Sequence, residues 1–127
     1  MQVRWIEVTL DCLDPVRVAA FWQGLLGGEL SEPLPGWRRL EVPDRPHITF
    51  QPVPEPKTAK TRLHLDLEVD DLEAAIALVE GLGGSRTGEQ HVYPEGTVEV
   101  LADVEGTEFC VVEYTALHPG RLVGGDR

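Results

Sequence analysis

The chain has 127 residues, 42% of them hydrophobic and 26% charged, a balance that suits one folded domain and excludes both a disordered chain and a membrane-embedded one. Its 11 basic and 22 acidic side chains leave a formal net charge of −11, which sets the surface against phosphate backbones and anionic lipid, so neither nucleic acid nor membrane is expected as a partner. Cys12 and Cys110 form no CxxC motif, and MQVRWIEV alternates too early for a signal peptide; free thiols in a cytoplasmic protein are the expectation.

In RWIEVTLDC, Ile6, Val8, Leu10 and Cys12 point one way and Glu7, Thr9 and Asp11 the other, the period-2 pattern of a strand with one covered face. Asp14-Pro15 then supplies an N-cap and a proline at the first helical position, predicting a helix over 14–26 that buries Val18, Phe21, Trp22 and Leu25 and stops at Gly27-Gly28. GWRRLEV and HITFQPV read as strands, and the prolines of PVPEPKTAKT as an extended linker. RLHLDLEVD repeats the opening pattern, with Leu63, Leu65, Leu67 and Val69 on the apolar row and His64, Asp66 and Glu68 on the polar row. Asp70-Asp71 with Glu73 caps a second helix over 71–83, carrying Leu72, Ile76, Val79 and Leu82 and stopping at Gly83-Gly84. GTVEVLAD and TEFCVVEY close the series as strands, and the glycine-rich tail HPGRLVGGDR is expected to fray.

The two halves start and stop their helices alike. An offset of 57 maps Glu7 onto His64 and Asp14 onto Asp71, and near the ends of the halves an offset of 59 pairs Phe50 with Phe109 and Gln51 with Cys110. The expected fold is α+β: two paired βαβββ units forming a cupped eight-stranded sheet with helices outside, unit 1 over about 1–54, a linker over 55–61, unit 2 over about 62–115 and a tail over 116–127. Units of this size bury too little apart to be stable alone, so they pack together, with the polar rows facing a shared concavity.

The duplicated pattern, with the stretches LDCLDPVRVAAFWQGLLGGEL, FQPVPEPKTAKTRLHLDLEVDDLEAA and LADVEGTEFCVVEY, resembles the glyoxalase-like branch of the vicinal oxygen chelate superfamily, which also includes bleomycin-resistance proteins and extradiol dioxygenases. The resemblance implies a pocket between the units and, in the enzymes, a divalent metal held by one side chain from the first and last strand of each unit. Those places hold Glu7, Gln51, His64 and Cys110, whereas the usual set is His or Gln, Glu, His and Glu. A neutral amide and a thiol make a degenerate tetrad, suited by softness to zinc before harder ions. The resemblance also implies a homodimer.

His64, on a polar row between leucines, has the best claim to chemistry, either as a hydrogen-bonded pocket residue or as a general base; Glu7 is the other catalytic candidate, and a nearby Glu7 would favour a charged imidazole. Cys110 reads first as an inert buried thiol and Cys12 as structural. His47, His91 and His118 lie beside proline or in turn-like segments and are expected to face solvent. Trp5 shares the row of Glu7, and Trp5, Trp37 and Tyr114 are candidate aromatic pocket walls. The expectation is a small-molecule binder whose ligand meets Trp5, Glu7, Gln51, His64, Asp66 and Cys110 without a standard metal site. The alternative is a lyase, isomerase or dioxygenase holding zinc, nickel or iron on Glu7, Gln51, His64 and Cys110.

Overall fold

Both helices begin where a carboxylate can accept a bond from the first turn, one of the donors that a helix start leaves unpaired. In the computed structural model, which describes residues 1–115, Asp14 accepts from the Arg17 amide at 3.2 Å and Asp71 from the Ala74 amide at 3.1 Å. Helix α1 spans Pro15–Leu26 and ends on Gly27 at φ +74°; α2 spans Leu72–Gly81 and is followed by Gly83 at φ +99°. The expected tail and His118 lie outside the described residues.

Around α1 the first half arranges β1 (Glu7–Cys12), β2 (Glu29–Ser31), β3 (Arg38–Glu41) and β4 (His47–Pro52); around α2 the second arranges β5 (Asp66–Glu68), β6 (Ser85–Tyr93), β7 (Gly96–Ala102) and β8 (Glu108–Tyr114). This is the paired βαβββ architecture, with the eight strands divided between two four-stranded sheets of equivalent order, β1-β4-β3-β2 and β5-β8-β7-β6. The three strands after each helix run antiparallel to one another. The last strand of each half lies parallel to the first, because the path through a helix and a hairpin brings the chain back in its starting direction. The strand expected over RLHLDLEVD shrinks to three residues, and Leu63, placed on the apolar row, is 78% exposed.

The register corrects the internal alignment as well. Thr9 stands opposite Thr49, and Asp66, 66 − 9 = 57 residues after Thr9, stands opposite Cys110. The offset between β4 and β8 is therefore 110 − 49 = 61, not 59, and the unit 1 counterpart of Cys110 is Thr49 rather than Gln51. Matching phenylalanines misled the sequence alignment by two residues. A shift of two leaves every side chain on its own face, so the hydrophobic pattern could not expose the error.

The core sits where α1 meets both halves. Phe21 and Trp22 project from α1 onto Phe109 of β8, with ring centroids 6.0 and 4.8 Å from it in edge-on or tilted contact. Two polar ties cross at the same place. The Trp22 indole donates to Asp103 at 3.1 Å, and the amides of Leu13 and Asp14 each donate to the Glu105 carboxylate at 2.8 Å. Gly84 makes the approach of the halves close: a Cβ there would lie 2.6 Å from the Ala102 carbonyl oxygen and 2.9 Å from the Phe21 ring. Asp103 is buried with its second oxygen accepting from the Glu105 and Thr107 amides; burial raises its pKa, and those bonds together with that from Trp22 oppose the rise.

Candidate functional site

A parallel strand pair sets side chains of the same face side by side, so the polar rows of β1 and β4, and of β5 and β8, each make a patch. On unit 2 the patch consists of His64, just before β5, Asp66 on β5 and Cys110 on β8. His64 Nε2 lies 3.2 Å from an Asp66 carboxylate oxygen, and one ligand atom from each of the three residues falls within 4.8 Å of the other two. Cys110 is 9% exposed, while His64 and Asp66 are exposed. Burial is the main cause pushing the Cys110 thiol up to about 11, with the charge of Asp66, the bond the thiol donates to it, and the charge of Glu89 adding to the rise. A thiol so placed is protonated near neutral pH and is a poor nucleophile. Cys12, buried beside Glu105 and Asp103, is pushed up to about 12, chiefly by desolvation.

His64 and Cys110 open onto a cavity of about 260 Å³. Its apolar part is Val100, Phe109 and Cys110, and its polar wall comprises Lys60, Thr61, His64, Thr87, Glu89, His91 and Glu108. The linker contributes because Glu108 holds it: the carboxylate accepts from Lys57 at 2.8 Å and from the Thr61 hydroxyl at 2.6 Å and amide at 3.2 Å. These bonds pull the Glu108 carboxyl down to about 2, the Lys57 bond contributing most. Every lining residue falls between 60 and 110, so this cavity belongs to unit 2 rather than lying between the units.

The rest of the expected set is dispersed. Glu7 stays in unit 1, where both its carboxylate oxygens accept from the Thr49 hydroxyl at 3.3 and 3.2 Å and Arg39 lies 3.6 Å away. The carboxylate beside His64 is therefore Asp66, not Glu7. Gln51 stands opposite Asp11 in unit 1 and is absent from the cavity lining. Trp5 precedes β1, is 71% exposed, and donates its indole N–H to the Glu7 carbonyl at 3.0 Å. It lines a separate cavity of about 240 Å³ between the units, with Val8, Ile48, Leu65 and Asp66. Trp37 and Tyr114 are likewise absent from the His64 cavity. His91 is exposed, as expected, but it lies on β6 rather than in a turn and also borders the cavity, its Nε2 2.6 Å from Glu89. The alternation of Thr87, Glu89 and His91 in SRTGEQHVY was the available signal.

The donor chemistry bears on a metal directly. One imidazole nitrogen, one carboxylate and one sulfur around an open side form a three-ligand set of the kind zinc accepts, once the thiol is deprotonated. Manganese prefers oxygen donors and fits this set less well.

Paired βαβββ units with this strand order place the chain among proteins of the vicinal oxygen chelate fold. The fosfomycin resistance protein FosX of Listeria monocytogenes, solved with Mn(II) and sulfate, superposes with a TM-score of 0.73 at 17% identity, covering 91% of this chain and 94% of FosX. A glyoxalase/bleomycin resistance protein/dioxygenase family enzyme of Burkholderia phytofirmans superposes with a TM-score of 0.69 at 19% identity, over 86% of this chain and 97% of that one. A hypothetical protein of Staphylococcus aureus matches at 0.68 and 16%, over 89% and 99%. At such identities the likeness is one of fold. The sequence model of the glyoxalase-like domain matches residues 7–112, and the chain belongs to that family. No functionally curated protein matches it.

Proposed function

We propose that this protein binds a small organic molecule in the cavity of unit 2, with His64, backed by Asp66, as a hydrogen-bonding group and Phe109 and Val100 as its apolar seat. The observation that carries this is the open cavity of about 260 Å³, in which an apolar base is ringed by polar side chains able to orient a ligand. The space is slightly below the roughly 300–1,000 Å³ of ordinary ligand pockets, which suits a metabolite-sized molecule. The raised pKa of Cys110 speaks for binding without covalent chemistry. A fragment screen by thermal shift tests this, because a ligand held only by the folded protein raises its apparent stability. Fragments that stabilise the wild type and lose their effect in His64→Ala are expected; a screen yielding none overturns the proposal.

The clustering of His64, Asp66 and Cys110 favours a second reading, a metal-dependent lyase, isomerase or dioxygenase. Zinc held there would supply Lewis acidity to a substrate oxygen. Asp66 would orient His64, and the cavity wall would position the substrate. Stoichiometric zinc, nickel or iron in protein purified without chelator, lost in His64→Ala, would put this reading first.

We further propose that the protein is a cytoplasmic homodimer working as one two-unit domain per chain. Two buried free thiols support a reducing compartment, and no helix among the described residues is long and apolar enough to cross a membrane. Trp5, Ile6 and Leu63, beside β1 and β5, are at least 70% exposed, and a second copy would cover them. Sedimentation giving a mass near 14.0 kDa at micromolar protein would overturn the dimer.

A further inference from the structure

One wall of the cavity is an irregular strand. In β6, Arg86 pairs with Leu101 and Gln90 with Glu99, so Thr87, Gly88 and Glu89 together stand against the single residue Val100. Gly88 takes φ +90°, and a Cβ there would meet nothing within 4 Å; the glycine is needed for the turn of the backbone and not for close packing. The bulge is tied down from both ends by one carboxylate. Glu99 is fully buried, with Gln90 Nε2 donating to one oxygen at 2.8 Å and Arg86 Nε to the other at 3.2 Å. A buried charge is costly unless paired, so these bonds fix where the extra residues stand. The Thr87 hydroxyl adds a bond to the Val100 carbonyl at 2.9 Å. Bulges re-aim side chains, and this one turns Thr87, Glu89 and His91 together into the cavity.

Within that arm, His91 Nε2 meets Glu89 Oε2 at 2.6 Å and the imidazole stacks on Tyr93, with centroids 6.2 Å apart and planes 24° apart. Of the other charges here, Glu108 is neutralised by Lys57, and Lys60 faces both this cavity and the neighbouring linker groove. Glu89 remains in the lining, with Asp66 just behind His64 and Cys110; burial first, and the charges of Asp66 and Glu89 after it, push the Cys110 thiol up. The whole chain, at −11, reinforces that negative field.

We infer that the Glu89–His91 arm is a recognition element for a positively charged nitrogen, so that the cavity takes a small organic ammonium ligand whose apolar body rests on Phe109 and Val100 while its nitrogen is held by Glu89. This rests on the reading of the cavity as a binding site. It adds a ligand class and two residues, Glu89 and His91, to that reading.

Three probes of one shape test it: benzylamine, benzyl alcohol and benzoate, titrated at neutral pH by calorimetry or chemical-shift mapping. Benzylammonium should bind most tightly and benzoate most weakly. Glu89→Gln, at an exposed position where folding is not at stake, should weaken benzylamine about tenfold, the size of a lost charge-assisted hydrogen bond, and leave benzyl alcohol unchanged. Glu80→Gln, which removes the same charge from the exposed side of α2, should leave all three affinities as they were. Benzoate binding as tightly as benzylamine, or Glu89→Gln within twofold of wild type for benzylamine, overturns the inference. All three probes binding alike and all lost in His64→Ala would overturn the charge preference while sustaining the cavity. None of them binding at millimolar concentration also overturns the ammonium ligand, and the fragment screen with His64→Ala judges the cavity separately.

Discussion

Unit 1 and unit 2 build the same frame and fill it differently. In unit 1 the first-strand residue Glu7 reaches across to Thr49, and Arg39 donates to the Thr49 hydroxyl at 3.2 Å while lying 3.6 Å from Glu7, so the patch supplies its own cation and closes on itself. In unit 2 the matching residues, His64 and Cys110, converge with Asp66 and stay open to a cavity. Duplication supplies two equivalent positions, and the side chains decide which is a site. The clearest difference between them is a guanidinium. Unit 1 has one against its carboxylate and hydroxyl, whereas in unit 2 the charged group Arg86 is spent on buried Glu99.

The strongest test of the comparison removes what joins the halves. Phe21→Ala, at a side chain 2% exposed, should cost about 3–5 kcal/mol and lower the denaturant midpoint while keeping a single transition, since α1 is core to both units. Two separated transitions would show that the halves fold independently.

Next in size is an acid effect confined to unit 2. The Glu108 carboxyl titrates at about 2 in the folded chain against 4.5 ordinarily, so the stability it contributes is present above pH 4.5 and is lost as pH falls from there towards 2. The loss is at most about 3 kcal/mol and less in practice, because the pair is partly wet. In Glu108→Gln that segment of the stability–pH curve should flatten, and protease should cut the linker near Lys57 and Lys60 sooner. An unchanged curve would detach the linker from the cavity wall.

A smaller effect separates patterned from packed positions. Leu65 alternates like a core residue yet is only partly buried, so Leu65→Ala should cost about 1–2 kcal/mol rather than the 2–5 kcal/mol of a fully enclosed leucine. Equilibrium unfolding measures it, and a loss above that range would mean that a second copy covers this edge. The smallest effect is expected at Arg39→Ala, whose half-wet ion pair contributes under about 1 kcal/mol. If unit 1 is inert only because Arg39 fills it, this variant should gain a weak second site for benzylamine at Glu7, visible as chemical-shift changes at Glu7 and Thr49.

Much of this was legible along the chain. Asp14-Pro15 and Asp71 mark helix starts through local hydrogen bonding, Gly27 and Gly83 mark the ends through positive φ, and alternation assigns Glu7, His64 and Asp66 to the polar side of their stretches. These are short-range effects, settled within a turn of helix or between neighbouring residues. The repeat, and with it the architecture, follows from them.

Which polar residues meet was not legible, because it depends on register and on how far apart the halves stand. The two-residue shift that exchanges Gln51 for Thr49 as the counterpart of Cys110 leaves the hydrophobic pattern intact. That the cluster is His64, Asp66 and Cys110, without Glu7, depends on how the strands come together, and no local interval encodes it. That His91 borders the cavity together with Thr87 and Glu89 depends on how the bulged strand β6 pairs with β7, which no local pattern encodes. Sequence by itself determined the secondary structure, the duplication and the polarity of each strand face, since those rest on neighbours in the chain. Tertiary structure alone decided that one polar patch is closed by Arg39 and the other opens on a cavity, because that outcome turns on side chains brought together from strands distant in sequence.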